Sequence, residues 1–355
     1  MDNPRALHVN DIASSPLRLL AAATEAGWPW EFIDRYRRPA GASRAQDAWG
    51  AAKWAARLWR ASRHFDLLHV HYGLMARHAR FTRKPYCLHF HGSDARTVQY
   101  MPRYRKHIVT AAREALAVFF ATPDIRTHTL ALRSDAIYLP IPIMVDQLPT
   151  WQPPARPRVF FASRWEAVKG LATQLEIARQ LRAARPDVEL VGLDWGDGAE
   201  QARAVGVRTL PQVAPDAFLR DYLARATVVV GQPTGMLATS ELEALGIGVP
   251  VAAALNPAWY GIAGIPVPPA LGGLAAFDDV DGHDMQDLAG PPLAEKTAAA
   301  LTEQVVAALD DPQATSQRIA GRQWLSEVHD ARRGAATIRA AYQRAVADGR
   351  LRPAS

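Results

Sequence analysis

Short apolar runs alternate with helical patterns along this chain, and the proline-dense segment PTWQPPARP at 149–157 interrupts the alternation once. Runs of four to eight buried residues separated by helices are typical of parallel sheets covered by helices on both faces. Before the interruption the runs begin near residues 6, 30, 66, 86, 115 and 136, and after it near 158, 188, 207, 227 and 249. The pattern predicts two consecutive doubly wound α/β domains joined by a linker.

A chain of 355 residues is too long for one ordinary hydrophobic core. We therefore expect an N-terminal domain over 1–150, a second domain over 151–330, and a C-terminal helical segment over 331–355. In sheets of this class, ligands bind beyond the carboxyl ends of the strands. Two such domains facing each other would enclose a ligand cleft.

Charge is distributed unevenly along the chain. Residues 1–150 contain 21 Lys/Arg and 12 Asp/Glu, whereas residues 151–355 contain 20 and 23. A basic half favours an anionic partner such as a phosphate group or an anionic lipid, although a solubilising arginine-rich surface explains it equally well. The basic stretches match no nucleic-acid-binding module, so we do not expect nucleic acid as a partner.

The single cysteine, Cys87, cannot form an internal disulfide and lies in an apolar run, which fits a core residue in a reducing compartment. No signal-peptide pattern is present. The longest uncharged stretch, 261–277, is broken by proline and glycine and is shorter than the ~20 residues that a spanning helix needs. We expect a cytoplasmic protein.

The segment FFASRWEAVKG opens the second domain and places Arg164 and Lys169 in the turn after a strand. Gly170 follows, at the start of a predicted helix. Two cations beside a strand end and a helix N-terminus form a good anion site. Two solvent-facing cations on an ordinary loop are the alternative.

A second anion-binding element is predicted in GMLATSELEALG, where Gly235, Met236 and Leu237 precede a helix with Ser240 as its expected N-cap. Backbone amides there could receive phosphate oxygens. Glu243 is expected in the first helical turn, where the helix dipole favours a carboxylate. Glu243 could be only a first-turn acid that stabilises the helix, or it could accept hydrogen bonds from a vicinal diol such as a ribose. Local chemistry does not decide between the two.

Two histidine pairs mark the ends of predicted strands in the first domain: His69 and His71 in LHVHYG, and His89 and His91 in LHFHGSD. Residues two apart share one face of a strand, so each pair lies side by side. Such pairs can bind zinc, but no third acidic or cysteine ligand is obvious, so no metal is expected. The alternative places His71 and His91 in the cleft as polar or acid–base groups, with Asp94 lining it.

In their order, these motifs resemble those of the family-four GT-B glycosyltransferases, which transfer sugars from nucleotide sugars with retention of configuration. Arg164 and Lys169 match the R-x4-K-G turn, whose cations hold the donor diphosphate. Glu243 matches the second glutamate of the E-x7-E motif, which contacts the donor ribose. His91 matches the histidine of the HG turn near the reacting sugar.

The resemblance covers most of the chain. The segment DLLHVHYG resembles the family's strand ending in a histidine pair, and Arg332–Ala347 resembles its final helix, which crosses back onto the first domain. The implied fold is therefore GT-B, with two Rossmann-like domains facing across a cleft. Two departures are present: Gly235 stands at the first glutamate of E-x7-E, and Ser14 and Ser15 stand where the first loop has glycines.

The resemblance implies transfer of a sugar from a UDP- or GDP-linked donor to a hydroxyl acceptor, with the nucleotide sugar as co-substrate and no metal or other cofactor. Arg164, Lys169 and the amides of 235–241 would stabilise the departing diphosphate, with Ser14 and Ser15 also on the donor side. His71, Asp94, Arg96 and Arg103 are assigned to the acceptor side.

Arginines and tyrosines alternate in RTVQYMPRYRKH (96–107), a composition that would suit an anionic or lipid-linked acceptor. Trp49, Trp54 and Trp59 lie among basic residues in a predicted helix, a combination found at membrane interfaces. Spacings of five spread the indoles around that helix, so packing explains them about as well. Peripheral contact with the inner face of a membrane stays open.

Three other functions compete with the transferase. One is a hydrolase built on a zinc ion at the histidine pairs, and another is a nucleotide-sugar epimerase, which needs no acceptor. The third is a catalytically silent GT-B protein that only binds a nucleotide sugar, an alternative suggested by Gly235.

Overall fold

The computed structural model describes residues 3–261, 264–275 and 295–352, so the predicted loop at 261–277 lies only partly within the described residues. The chain divides into two compact units. Unit 1 comprises Met1–Met144 and Ala331–Ser355, and unit 2 comprises Val145–Asp330. Each unit is built on one parallel sheet, which confirms the predicted α/β class.

Unit 1 contains a six-stranded sheet in the order β2-β1-β3-β4-β5-β6. The chain runs from β1 outward to β2 and then returns to the other side of β1, so the winding direction reverses between β1 and β3. The strands are β1 (Ala6–Val9), β2 (Trp30–Ile33), β3 (Leu67–His71), β4 (Tyr86–Phe90), β5 (Val118–Phe120) and β6 (Ile137–Tyr138). The helices between them are α1 (Ser15–Glu25), α2 (Arg44–Ser62), α3 (Ala76–Thr82), α4 (Ser93–Arg96), α5 (Pro102–Glu114) and α6 (Arg126–Leu132).

Unit 2 contains a five-stranded sheet in the order β11-β10-β7-β8-β9, and its winding reverses between β7 and β10. The strands are β7 (Arg158–Phe161), β8 (Glu189–Leu193), β9 (Arg208–Leu210), β10 (Val228–Val230) and β11 (Val251–Ala252). The helices are α7 (Leu171–Ala184), α8 (Ala199–Ala204), α9 (Pro215–Ala217), α10 (Thr239–Ile247), α11 (Glu295–Asp310), α12 (Pro312–Ile319) and α13 (Gly321–Val328). None of the helices in the described ranges combines the length and apolar composition needed to cross a bilayer.

The last helix, α14 (Ala331–Ala347), belongs to unit 1. Ala335, Ile338 and Tyr342 recur at helical spacing and are buried in a core cluster with Leu19 of α1 and Phe119 of β5. An apolar stripe of this period is the face that an amphipathic helix packs against a core. The helix therefore covers one face of the unit 1 sheet.

That covered face carries a layer of five histidines, which we call the histidine layer: His8, His69, His71, His89 and His91. Strand register assembles it, since His8 lies opposite His69 and His71 opposite His89. Contacting ring centroids in the layer are 4.2–5.7 Å apart. The two pairs were predicted from the sequence and His8 was not, because a lone histidine on a strand carries no signal of its own.

Burial lowers the pKa of every histidine in this layer, because an apolar environment disfavours the protonated imidazole. The pKa values of His8 and His91 are lowered to about 3. For His69, His71 and His89 the pKa is well below the usual value, first through burial and then through neighbouring histidines. All five imidazoles are therefore neutral at neutral pH.

We expect the free energy of unfolding to fall as the pH drops below about 6.5, because the unfolded chain then binds protons on these histidines that the folded chain does not. Each histidine adds a slope of about 1.4 kcal/mol per pH unit. For His8 and His91 the loss continues towards their folded-state pKa of about 3. Urea unfolding between pH ~7.5 and ~4.5 measures the slope.

Two matched variants test this origin of the slope. His89→Leu removes one buried histidine and should reduce the slope by about one proton's contribution. His107→Leu alters an exposed histidine and should leave the slope unchanged. Equal slopes in wild type and His89→Leu would show that the layer does not control acid stability.

Candidate functional site

The predicted donor residues of unit 2 collect around the reversal of its sheet. Ser163 follows β7, Gln232 follows β10, and these two strands are neighbours. Crossovers leave β7 and β10 in opposite directions, so the carboxyl edge between them is not covered by a crossover. Ligands of open α/β sheets bind at such a position.

The turn after β7 is anchored by Trp165, whose side chain is completely buried. Its indole Nε1 donates to the Leu193 carbonyl at 2.9 Å. Its backbone N–H donates to the Trp195 carbonyl, and its carbonyl accepts from the Gly198 N–H. These contacts hold the backbone of the turn at Trp165, and Arg164 and Glu166 on either side of it are positioned accordingly.

Gln174 of α7 holds the backbone of both predicted cations. This fully buried amide donates from Nε2 to the carbonyl of Lys169 at 2.8 Å and to that of Arg164 at 3.4 Å. The two side chains make different contacts. Lys169 Nζ donates to Gln232 Oε1 at 2.7 Å, whereas the Arg164 guanidinium pairs with Glu166 at 3.0 Å. Lys169 is thus connected to the loop after β10, and Arg164 to its own turn.

Gln232 connects the two loops at this edge. Besides accepting from Lys169, it donates from Nε2 to the Met236 carbonyl at 3.2 Å and from its backbone N–H to Glu241 Oε1 at 2.9 Å. Glu241 also accepts from the Ala238 N–H at 3.1 Å and from Ser163 Oγ at 3.4 Å. Gln232 was not predicted as a site residue, because Lys169, its partner at this edge, is distant in the sequence.

The start of α10 differs from the prediction. The helix begins at Thr239 with Ala238 as its N-cap, so Ser240 lies in the first turn and is not the cap. Glu241 is the first-turn acid, and Glu243 lies in the second turn, 6% exposed. A glutamate three residues after a cap is a sequence signal for the hydrogen bond that the Glu241 carboxylate accepts from the Ala238 N–H. Taking Ser240 as the cap hid that signal.

Gly235 occupies a backbone conformation that requires glycine. Its φ is +88°, and a Cβ there would lie 2.7 Å from Trp259 Cζ3 and 2.9 Å from Asn256 Cβ. Its carbonyl accepts from the Asn256 N–H at 2.8 Å. A carboxylate cannot simply be restored at this position, because the side chain has neither the backbone angle nor the space it needs.

Met236 and Leu237 follow Gly235 and have buried side chains. The Leu237 N–H is within 3.4 Å of the Tyr260 hydroxyl, which accepts from it. The apolar side chains of this loop therefore belong to the core, and the Gly235 carbonyl, the Met236 carbonyl and the Leu237 N–H are hydrogen-bonded within unit 2.

The first loop of unit 1 reaches a glycine-like conformation without glycine. Asn10, Ala13 and Ser14 have φ values of +78°, +50° and +58°. Ser14 is the N-cap of α1, and Ser15 is buried. This loop lies at the carboxyl end of β1, beside the reversal of the unit 1 sheet. Left-handed backbone is tolerated by asparagine but costly for Ala13 and Ser14, so the surrounding structure must impose it at those two residues.

His71 and His91 are linked in a chain with His8. His71 Nδ1 is 2.9 Å from His91 Nε2, and His71 Nε2 is 3.1 Å from His8 Nδ1. His71 is completely buried beneath the unit's helices, whereas His91 is half-buried at the end of the chain. Of the two predicted polar groups, His91 is therefore the one with access to solvent.

Asp94 is placed differently from its predicted position as an acceptor-site residue. It is fully buried, and its two carboxylate oxygens accept from the backbone N–H groups of His91, Gly92, Ala95 and Gly73 at 2.9–3.1 Å. Burial raises the pKa of this carboxyl group, and these four hydrogen bonds oppose the shift. Asp94 shapes the turn that carries His91, and its carboxylate does not line a surface.

Arg96 and Arg103 are not brought together by any contact in the described residues. Arg96 binds the buried carboxylate of Asp124 through Nε at 2.7 Å and through Nη2. Arg103 is exposed, with its guanidinium 4.4 Å from the centroid of the Tyr104 ring. Only Arg103 is available as a surface cation, because Arg96 is committed to a structural ion pair.

No protein-family model matches this sequence, and a search of curated proteins finds no match. Solved structures do match. Sucrose-phosphate synthase from Thermosynechococcus elongatus superposes with a TM-score of 0.67 at 16% identity, covering 97% of this chain and all of that one. For a UDP-forming α,α-trehalose-phosphate synthase from Burkholderia xenovorans the TM-score is 0.63 at 15% identity, with 96% and 99% covered.

A third match is Anabaena HepE in complex with UDP, with a TM-score of 0.61 at 16% identity over 94% of this chain and 98% of that one. At such identities the similarity is one of fold. These matches, and the two Rossmann-like parallel sheets described above, show that the chain has the GT-B fold.

Proposed function

We propose that this protein transfers a sugar from a nucleoside-diphosphate sugar to a hydroxyl acceptor. One observation carries the proposal: Lys169, Gln232 and Glu241 form a connected set at the carboxyl edge between β7 and β10, beside the first turn of α10. The GT-B fold supports the same conclusion by analogy, since HepE was solved with UDP.

The donor diphosphate is proposed to bind at this edge. Lys169 supplies a cation held in place by Gln174 and Gln232. The amides of Thr239, Ser240 and Glu241 lie in the first turn of α10, where an α-helix has no internal acceptors for its N–H groups. Arg164 would join them by exchanging Glu166 for a phosphate oxygen. Together these groups would stabilise the charge that develops on the departing diphosphate.

Glu243 and Gln232 are proposed to contact the two ends of the donor. Glu243 would accept hydrogen bonds from the ribose hydroxyls, as its resemblance to the second glutamate of E-x7-E implies. Since Gly235 cannot carry a side chain, the sugar would meet the Gln232 amide and main-chain groups of the 235–237 loop. A neutral amide beside Lys169 would select a different sugar from a carboxylate.

On the acceptor side, His91 is the proposed polar group, since it is half-buried at the end of the histidine chain and its turn is fixed by Asp94. Neutral imidazole can hydrogen-bond a hydroxyl as donor or acceptor. Retention of configuration and independence from metal ions complete the proposal. The family resemblance supports the first, and the cations of the donor site support the second by supplying the charge that a metal would otherwise provide.

Helix α2 supports an acceptor at a membrane surface. Its buried residues are only Leu58 and Ser62, while Trp49 is 65% and Trp59 40% exposed. Lys53 lies over the Trp49 ring. Trp49 and Trp59 are ten residues apart, so they lie about 80° apart around the helix and share a side. Exposed indoles beside cations suit the interface of an anionic bilayer.

Binding of nucleotides tests the donor site. We expect one of UDP, GDP and ADP to bind the wild-type protein, and Lys169→Gln to weaken that binding about 10-fold or more, because a charge-assisted hydrogen bond to phosphate is lost. Isothermal titration calorimetry measures both. Arg179→Gln, at an exposed arginine on α7, is the matched control and should bind like wild type.

Failure of the folded protein to bind any of the three would overturn the donor site. If a nucleotide binds, the nucleotide-diphosphate sugars that contain it are tested next. Release of the nucleotide from each of them is measured with and without a panel of hydroxyl acceptors. Release that depends on an acceptor supports transfer. Conversion of the donor without an acceptor would indicate an epimerase, and no turnover would indicate a silent binding protein.

The two glutamates of α10 should behave differently. Glu243→Ala is expected to weaken binding of the preferred nucleotide about 10-fold but to leave binding of its 2′,3′-dideoxy analogue unchanged, because that analogue lacks the hydroxyls. Glu241→Ala is expected to lower the free energy of unfolding by about 1–3 kcal/mol, because the N–H groups of Gln232 and Ala238 lose their hydrogen-bond acceptor. Equal weakening of both ligands by Glu243→Ala would contradict the ribose contact.

Vesicle sedimentation tests the role of α2. The variant Trp49→Ser/Trp59→Ser is expected to bind phosphatidylglycerol-containing vesicles ~10-fold less than wild type. Val213→Ser, at an exposed apolar residue of unit 2, serves as the control and should not change binding. Absence of vesicle binding by the wild-type protein would remove the membrane from the proposal.

A further inference from the structure

The histidine layer contains ring nitrogens that the fold does not satisfy. Both nitrogens of His89 and the Nε2 atoms of His69 and His8 are buried without a hydrogen-bond partner in the described part of the chain. Buried polar atoms are rarely left unpaired, because each one costs the free energy of its lost hydration. Four such atoms in one layer point to a ligand that these imidazoles hold together.

Three of these histidines are already arranged as a ligand set. His69, His71 and His89 can each offer one ring nitrogen such that all three atoms lie within 4.8 Å of one another. Zn–N bonds of about 2.0–2.1 Å require ligand nitrogens roughly 3.3 Å apart, so the three side chains would have to move closer together when a metal binds. Strand register provides the arrangement, since His71 faces His89 and His69 lies two residues before His71 on the same strand face.

Hydrogen bonds outside the set orient two of its members. The Tyr342 hydroxyl of α14 is 2.7 Å from His69 Nδ1. In the tautomer in which Nδ1 donates to this hydroxyl, Nε2 has a free electron pair for a metal. His71 is hydrogen-bonded to His91 at Nδ1 and to His8 at Nε2, and would give up one of these bonds to bind a metal. Metal-bound histidines usually have their second nitrogen fixed in this way.

We propose that His69, His71 and His89 form a binding site for a late first-row transition-metal ion, with Zn²⁺ as its reference occupant. Imidazole suits Zn²⁺, Cu²⁺ and Ni²⁺, whereas Ca²⁺ and Mg²⁺ require oxygen ligands, which this set lacks. The half-buried His91 ring, 4.2 Å from that of His89, marks the solvent-facing side of the layer.

This site is separate from the donor site of unit 2 and does not depend on the proposed function. It also differs from the expectation drawn from the sequence, which was that no metal binds because no third acidic or cysteine ligand is obvious. In the structure the third ligand is a histidine, since members of both pairs lie in one set.

Metal titration of tag-free, metal-stripped protein tests the proposal. We expect one Zn²⁺ per chain by calorimetry, and Co²⁺ to give the visible absorption bands of a site with nitrogen ligands. His89→Gln should lower Zn²⁺ affinity at least 10-fold. His64→Gln and His107→Gln change exposed histidines and should bind Zn²⁺ as the wild type does.

A second variant keeps the test decisive if His89→Gln does not fold. Tyr342→Phe keeps the ring packing but removes the hydroxyl beside His69, and should weaken Zn²⁺ about 10- to 100-fold. Absence of stoichiometric Zn²⁺ binding by the wild type would overturn the proposal. Equal Zn²⁺ affinity in the wild type, His89→Gln and Tyr342→Phe would overturn it as well. Nucleotide binding by the same samples is expected to be unchanged by chelator, which separates this result from the donor site.

Discussion

Each sheet of this protein reverses its winding direction once, and the candidate chemistry depends on that reversal. Parallel strands need crossovers that return over a face of the sheet, so two neighbouring strands whose crossovers leave in opposite directions keep an open carboxyl edge. In unit 2 the reversal between β7 and β10 places Ser163 beside Gln232. In unit 1 the reversal between β1 and β3 places the left-handed first loop beside the histidine layer.

Neutral amides, more than ion pairs, organise the donor edge. Gln174 fixes the backbone of the cationic turn, and Gln232 joins that turn to the loop before α10. An amide can donate and accept at the same time, so one side chain can connect groups from separate strands without adding charge. Lys169 Nζ donates to the Gln232 amide oxygen, a partner that carries no net charge of its own.

The two sheets and several of the helices followed from the sequence because strand and helix periods are local. The strand predicted near residue 86 is Tyr86–Phe90, and the helix predicted to start at Gly170 is Leu171–Ala184. The roles of side chains in the site were harder to predict, because they depend on strand register and on contacts between segments that are distant in the sequence. His8 joins the layer through pairing with β3, and Glu241 is occupied by Gln232 nine residues earlier. Asp94 read as a surface acid because its four amide partners are set by the turn geometry.

The position of α14 imposes an order on biosynthesis. Its residues complete the core of unit 1, yet they follow the whole of unit 2 in the chain. During synthesis from the N-terminus, the sheet face that will carry Ile338 and Tyr342 is therefore complete in its strands long before its covering helix emerges. The nascent unit 1 must keep an apolar, histidine-rich surface from associating wrongly while about 190 further residues are made. Completion of the unit 1 core therefore requires a helix that is made after all of unit 2.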